Sequence, residues 1–185
     1  DAPHHAQHCS EIMLHGKHAA SAVPAAFGSI EDGERLLEAV KETGQKYMMF
    51  ETSCFRPDNY AMRIAFNANG FGPLIFSEGE YHHYHASAEP TPSYLGCRRG
   101  VPPMWYPTHS TAYYVGVTRE RFTSVSCIGS RGHLPYHLSA DNPYDNPMAN
   151  ENALFETSEG ASSRMAVCWS MKSIWRSRRL WLRRA

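Results

Sequence analysis

No stretch of about 18 consecutive apolar residues occurs in this chain of 185, so the sequence offers no helical membrane span. The opening residues, DAPHHAQHCS, lack a basic start followed by an apolar run, and no signal peptide is visible. There is no C-x-x-C pair. The five cysteines (Cys9, Cys54, Cys97, Cys127 and Cys168) are odd in number and widely spaced. That spacing excludes a zinc ribbon or a thioredoxin motif and points to reduced thiols in an intracellular, cytoplasmic setting. No G-x-G-x-x-G and no internal repeat occur. Charged residues are sparse, 19%, and sum to zero. Six of the 18 Lys and Arg lie in the last 14 residues, KSIWRSRRLWLRRA, which contain no acid. The rest holds 12 basic against 18 acidic residues, an acidic balance that disfavours nucleic acid as a partner.

What is present is globular. Apolar residues make up 42% and aromatics 12%, which argues against a disordered chain, a coiled coil or collagen. The length suits one to one and a half domains.

Residues 5 to 15 place Ala6, Cys9, Ile12 and Met13 near one helical stripe, with Gly16 as a stop. Lys17 to Ser21 reads as a buried strand, and Pro24 and Gly28 punctuate a turn. Ser29 caps a second helix with Glu31 and Asp32 in its first turn; Leu36, Leu37, Ala39 and Val40 give its apolar face, and Gly44 ends it. KYMMFETS is the next strand. Helix, strand, helix, strand with short connections is the grammar of a parallel α/β layer. Such a layer normally opens on a strand and a glycine-rich turn. Neither precedes these elements, so residues 1–57 read as the carboxy-terminal remnant of a Rossmann-type parallel layer.

After Phe55 the pattern changes. Asp58 to Ala68 reads as a helix, Pro73 to Tyr84 as a strand, 86–103 as a loop, Thr108 to Thr118 as a helix and Phe122 to Gly129 as a strand. A long loop covers 130–150, and Arg164 to Met171 is a last strand. Residues 172–185 read as a basic tail foreign to the fold, or as an amphipathic helix on a membrane or a partner.

Two segments could carry chemistry. In WYPTHSTAYY, residues 105–114, Thr108 is a candidate N-cap and His109 falls in the first helical turn. The positive end of the helix dipole disfavours imidazolium, so His109 should stay neutral near pH 7 and can act as a general base. Tyr113, four residues on, shares its face. The plainer alternative is a capped helix whose histidine makes only a local hydrogen bond. In SEGEYHHYH, residues 77–85, Glu78, Glu80, His82 and Tyr84 share one strand face, and Tyr81, His83 and His85 the other. The H-H-x-H cluster is chemically suited to a metal. Adjacent strand residues point opposite ways, however, so a face of Tyr and His toward a sugar, or a solvated strand, is favoured and no metal is expected.

The strings GKHAASAVPAA and KYMMFETSCFRP resemble the glucose-fructose oxidoreductase / inositol dehydrogenase / MocA family. That resemblance covers residues 5 to about 171. It implies a nucleotide-binding domain and a substrate domain (58–171) built on an open, mostly antiparallel sheet with helices on one face. It implies an NAD- or NADP-dependent oxidoreductase acting on a sugar or sugar-derived substrate, and a possible homo-oligomer through the open sheet. The family's E-K-P is here Ala22, Val23 and Pro24: the proline is kept and the lysine is lost. His109 and Tyr113 stand where many members carry Asp and His. Y-P-T-H, residues 106–109, resembles the NAD-dependent α-N-acetylgalactosaminidase branch, which implies a catalytic role for His109 and for Tyr81. Cofactor contacts implied by the resemblance are His5, Val23, Pro24, Glu51 and Thr52. A glycoside hydrolase working by oxidation and elimination, and a non-catalytic sugar-binding or assembly protein, are the alternatives.

Overall fold

The computed structural model describes residues 1–84, 97, 99–133 and 142–171, and the backbone of 178–182. His85, most of the 86–103 loop, the middle of the 130–150 loop and the rest of the basic tail lie outside the described residues. The chain divides into two compact units, Asp1–Glu51 and Thr52–Ala185.

The first unit is a helix-strand-helix-strand run: α1 (His5–Leu14), β1 (Ala19–Ser21), α2 (Ile30–Thr43) and β2 (Tyr47–Met49). β1 and β2 pair in parallel, Ala19 opposite Tyr47. Its core is Ala6, Cys9, Met13, Ala19, Leu36 and Ala39. The buried stripe of α1 is Ala6, Cys9, Ser10 and Met13; Ile12 falls out of phase and is 42% exposed. Leu37 is likewise turned outward from α2. The ends of α2 follow local chemistry. Ser29 Oγ accepts the Asp32 N–H at 3.1 Å, Glu31 and Asp32 occupy the positive first turn, and Gly44 closes the helix at φ 66°.

The second unit contains α3 (Pro57–Asn67), β3 (Leu74–His82), α4 (Thr108–Thr118), β4 (Phe122–Arg131), β5 (Met148–Thr157), β6 (Ser162–Cys168) and β7 (Arg178–Leu182). The strands form one sheet in the order β4-β5-β6-β3-β7. β3 and β6 are parallel; the pairs β4–β5, β5–β6 and β3–β7 are antiparallel. Together the units form an α/β layer followed by a mixed, mostly antiparallel sheet. Two strands were not legible in sequence. β5 occupies what reads as loop and gap. The backbone of Arg178–Leu182, in the tail expected to stand outside the fold, lies antiparallel to β3.

The helices pack on one sheet face. α4 buries Ser110, Ala112, Tyr113, Tyr114, Gly116, Val117 and Thr118. It lies so close to β3 that a Cβ on Gly79 would stand 2.2 Å from the Ser110 carbonyl oxygen. Small residues line this crossing, where the Ser77 and Ser163 hydroxyls meet at 2.6 Å. α3 is pinned to α4 by buried Asn59, whose Nδ2 donates to the carbonyls of Ser53 (3.0 Å) and Ala112 (3.1 Å). The opposite face carries the sheet's ion pairs. On it Arg164 donates to Glu78 at 2.8 Å and to Glu80 at 2.5 Å, and the His82 ring stands 3.7 Å from Glu80.

Candidate active site

β3 and β6 run in parallel and end together, and α4 begins beside those ends. In α/β architectures ligands gather where parallel strands terminate and helices start, because backbone N–H groups and unfilled space coincide there. Tyr81 and Trp169 stand at these ends, each 7% exposed. His109 is the second residue of α4 and is half-buried.

The rings converge. The Tyr81 and His109 centroids are 4.6 Å apart, and those of His109 and Tyr106 5.4 Å. Trp169 meets Tyr81 edge-on at 6.0 Å. His83, exposed, lies 5.8 Å from Tyr81 and 6.5 Å from Trp169. The cluster thus grades from buried Tyr81 and Trp169, through half-buried Tyr106 and His109, to His83 at the surface. An imidazole between two phenol rings can exchange a proton with a hydroxyl brought to the outer side. The aromatic faces supply an apolar floor with polar rims.

The start of α4 differs from the expected cap. Its N-cap position is Pro107, which has no side chain that can accept, and the Thr108 hydroxyl is buried without a hydrogen bond. The Pro107 carbonyl instead collects the N–H groups of Ser110 (3.0 Å) and Thr111 (2.9 Å) and the hydroxyls of both, at 2.8 and 3.1 Å. Pro107 fixes φ, and four donors fix its carbonyl, so the approach to His109 is rigid.

Tyr113 lies one turn on and is 2% exposed, in the interior. His82 and His83 point to opposite faces as strand alternation requires, His82 toward Glu80 and His83 toward Tyr81. Among the described residues no group of three His, Cys, Asp or Glu is placed to hold a metal ion.

The residues expected to touch a cofactor divide between the units. His5 Nδ1 lies 2.9 Å from the Pro24 carbonyl oxygen, which can only accept, so Nδ1 is the donor of this contact. The Val23–Pro24 peptide is cis. Glu51 is buried at the end of the first unit, and exposed Thr52 opens a short 3-10 turn, Thr52–Phe55, in the second. The turn after β1 follows the carboxyl end of a parallel strand, the end at which ligands bind in open α/β sheets. The glycine turn that would cradle a dinucleotide's phosphates is not in the sequence, so the residues present fit one edge of such a site and not its phosphate-binding part.

Sequence reasoning did not assign Trp169, Tyr106 or Glu151. Tyr106 stands inside the Y-P-T-H string, but its ring contact with His109 is tertiary. Glu151 is half-buried on β5, and its Oε2 accepts the Met104 N–H at 2.5 Å. Burial pushes its carboxyl above the ordinary range, against a lowering pull from that hydrogen bond.

No family model matches the chain. Among solved structures it is similar to an aldose-aldose oxidoreductase from Caulobacter crescentus complexed with glycerol, at TM-score 0.72 and 16% identity, over 92% of this chain and 49% of that one. A scyllo-inositol dehydrogenase from Lactobacillus casei matches at TM-score 0.68 and 13% identity, over 91% and 47%. The fold is that shared by these solved oxidoreductases and dehydrogenases. An oxidoreductase of this fold from Agrobacterium radiobacter, solved with NAD+, L-tartaric acid and magnesium, matches at TM-score 0.71 and 14% identity, over 95% and 48%. By sequence, an α-N-acetylgalactosaminidase and a glycosyl hydrolase family 109 protein, both from Bacteroides fragilis, are each 35% identical over 71 residues, 38% of this chain and 16% of theirs. The chain spans about half the length of the solved structures it matches, and its sequence match covers about a sixth of the curated relatives. Among the described residues no helix is long and apolar enough to cross a membrane.

Proposed function

We propose that this chain belongs to an NAD(P)-dependent oxidoreductase acting on a sugar or sugar-derived alcohol, with His109 as the group that takes the substrate's hydroxyl proton. The observation that carries this reading is the convergence of Tyr81, Tyr106 and His109 where β3 ends and α4 begins. Removing hydride equivalents from an alcohol requires a base within reach of its O–H. His109 supplies the base, Tyr81 orients it from the interior, and Tyr113 supports the helix face behind it. His5, Val23, Pro24, Glu51 and Thr52 are the residues this reading assigns to the cofactor. Oxidoreductase neighbours with glycerol or NAD+ bound support the substrate and cofactor class.

A second reading is a glycoside hydrolase that works through sugar oxidation and elimination. The two Bacteroides fragilis relatives and the Y-P-T-H string favour it. Under both readings we place the protein in the cytoplasm, in keeping with five free cysteines. We also read the sheet face opposite the helices as a self-association surface. Ile128 (79% exposed) and Leu154 (58% exposed) lie on it beside the Arg164 ion pairs.

The test supplies the purified protein with NAD or NADP and a panel of polyols, aldoses and nitrophenyl glycosides. Formation of NADH or NADPH identifies the dehydrogenase. Release of nitrophenol without net reduced cofactor identifies the hydrolase. Sugar binding with no turnover identifies a non-catalytic protein. His109→Ala is expected to lower turnover about a hundredfold or more, and Tyr81→Phe less. Turnover unchanged in a folded His109→Ala protein refutes the assignment. Light scattering on the same sample reports whether it is a monomer or a dimer.

A further inference from the structure

A one-turn 3-10 helix, Pro103–Trp105, precedes α4. The first N–H groups of any helix lack partners inside it. Here Pro102 and Pro103 have no N–H at all. The Trp105 N–H is taken by the Pro102 carbonyl and the Tyr106 N–H by that of Pro103, both at 3.0 Å. One donor of the turn is left, the Met104 N–H, and Glu151 Oε2 accepts it. A capping side chain ordinarily comes from the residue just before a helix. This one comes from β5, a strand 47 residues further along the chain.

That strand is registered with the site. Tyr81 on β3 is opposite Val167 on β6, and Val167 is opposite Glu151 on β5, so Tyr81 and Glu151 lie in one row across the helix-bearing face. From Met104 to His109 there is little slack. Trp105 and Tyr106 are held in the turn, and Pro107 is locked by its ring and four donors. Upstream, the Trp169 indole N–H holds the Val101 carbonyl at 3.1 Å. The segment carrying Tyr106 and His109 is therefore clamped to the same sheet that carries Tyr81 and Trp169.

We propose that Glu151 is a positioning residue: by capping Met104 from the neighbouring strand it sets the place of Tyr106 and His109 against Tyr81. A carboxylate suits the task, because a charge-assisted hydrogen bond is stronger than a neutral one. The consequence for turnover rests on the functional reading above; the structural coupling does not.

The test uses the whole chain, NMR, and the variants Glu151→Ala and Glu151→Gln. In the unmodified protein the Met104 amide should exchange slowly, and its proton shift should follow the titration of the Glu151 carboxyl. Glu151→Ala should speed that exchange by about tenfold or more and abolish the ring-proton NOE between Tyr81 and His109. Glu151→Gln retains an acceptor oxygen and should keep both. Where turnover is measurable, Glu151→Ala should lower kcat with KM little changed, and Glu151→Gln should restore it. A Met104 amide that exchanges freely in the unmodified protein overturns the proposal. So does an intact Tyr81–His109 NOE in folded Glu151→Ala, or loss of that NOE in Glu151→Gln. If Glu151→Ala does not fold, the unmodified protein and Glu151→Gln decide. NMR results as expected in a protein with no turnover uphold the coupling and sink the enzymatic reading alone.

Discussion

Tyr114 is fully buried between α4 and the sheet and donates its hydroxyl to Glu159 at 2.7 Å. Burial pushes its pKa up to about 12, against an ordinary value of 10.0, and the Glu159 carboxylate adds to the rise. The folded state therefore keeps the phenol neutral over a range where the unfolded chain ionises it. The stability this contributes is complete below pH 10 and is lost as pH climbs from 10 toward 12. Melting temperatures of the protein should fall across that interval, and Tyr114→Phe should fall less. Parallel curves for the two proteins would contradict the assignment. Arg164 shows the opposite balance on the sheet face away from the helices. Burial works against its charge, but hydrogen bonds to Glu80 and Glu78 outweigh that and hold the guanidinium above its ordinary pKa. Burial likewise pushes the Cys168 thiol up to about 11, with Glu80 adding to the rise and Arg164 opposing it.

At the scale of elements, five of the seven described strands were legible along with the ends of α2, and the misses are β5, the tail strand and the cap of α4. α2 announces itself through Ser29, Glu31, Asp32 and Gly44, all acting within one turn of their own backbone. The span Thr108–Thr118 was likewise readable, although the cap was not, because the donors at its start turn back to a proline carbonyl. β5, in contrast, is MANENALFET. Ala, Asn and Glu have low strand preference, so this segment is extended because β4 and β6 flank it with backbone partners. The α4–β3 crossing gives a paired test. Gly79→Ala would place its Cβ 2.2 Å from the Ser110 carbonyl oxygen and 2.7 Å from Met165 Sδ, so the backbone of α4 must shift. A loss of about 3 kcal/mol is expected by denaturant titration, at the upper end of overpacking costs. Gly33 lies inside α2, and a Cβ there would meet nothing closer than Ala26 Cβ at 4.0 Å. Gly33→Ala should stabilise by up to about 1 kcal/mol. Equal effects of the two changes would discredit the packing account.

For the molecule as a whole, the two units differ in the means to stay folded. The first has 51 residues, a two-stranded sheet and a core in which three of the six buried residues are alanine. Domains of that size are marginal because little of their surface is buried. The second has a five-stranded sheet and a core of Leu74, Tyr114, Ala161 and Met165 with aromatic residues packed around it. Hydrogen exchange followed by mass spectrometry on gentle heating should show peptides from residues 1–51 losing protection before those from β3, β5 and β6. Loss at one common temperature would mean that the chain unfolds as a single cooperative body.

Residue order alone determined the α/β alternation of the first unit, the extent of α4 and the place of His109 in its first turn, because those depend on interactions spanning a few residues. Tertiary structure alone decided that β5 and the backbone of Arg178–Leu182 join the sheet, that Tyr81 meets His109, and that Glu151 caps a turn 47 residues before it. Each of these is a pairing between distant segments. Strand pairing and ring contact depend on which backbone arrives alongside, and local preference in the chain does not specify that.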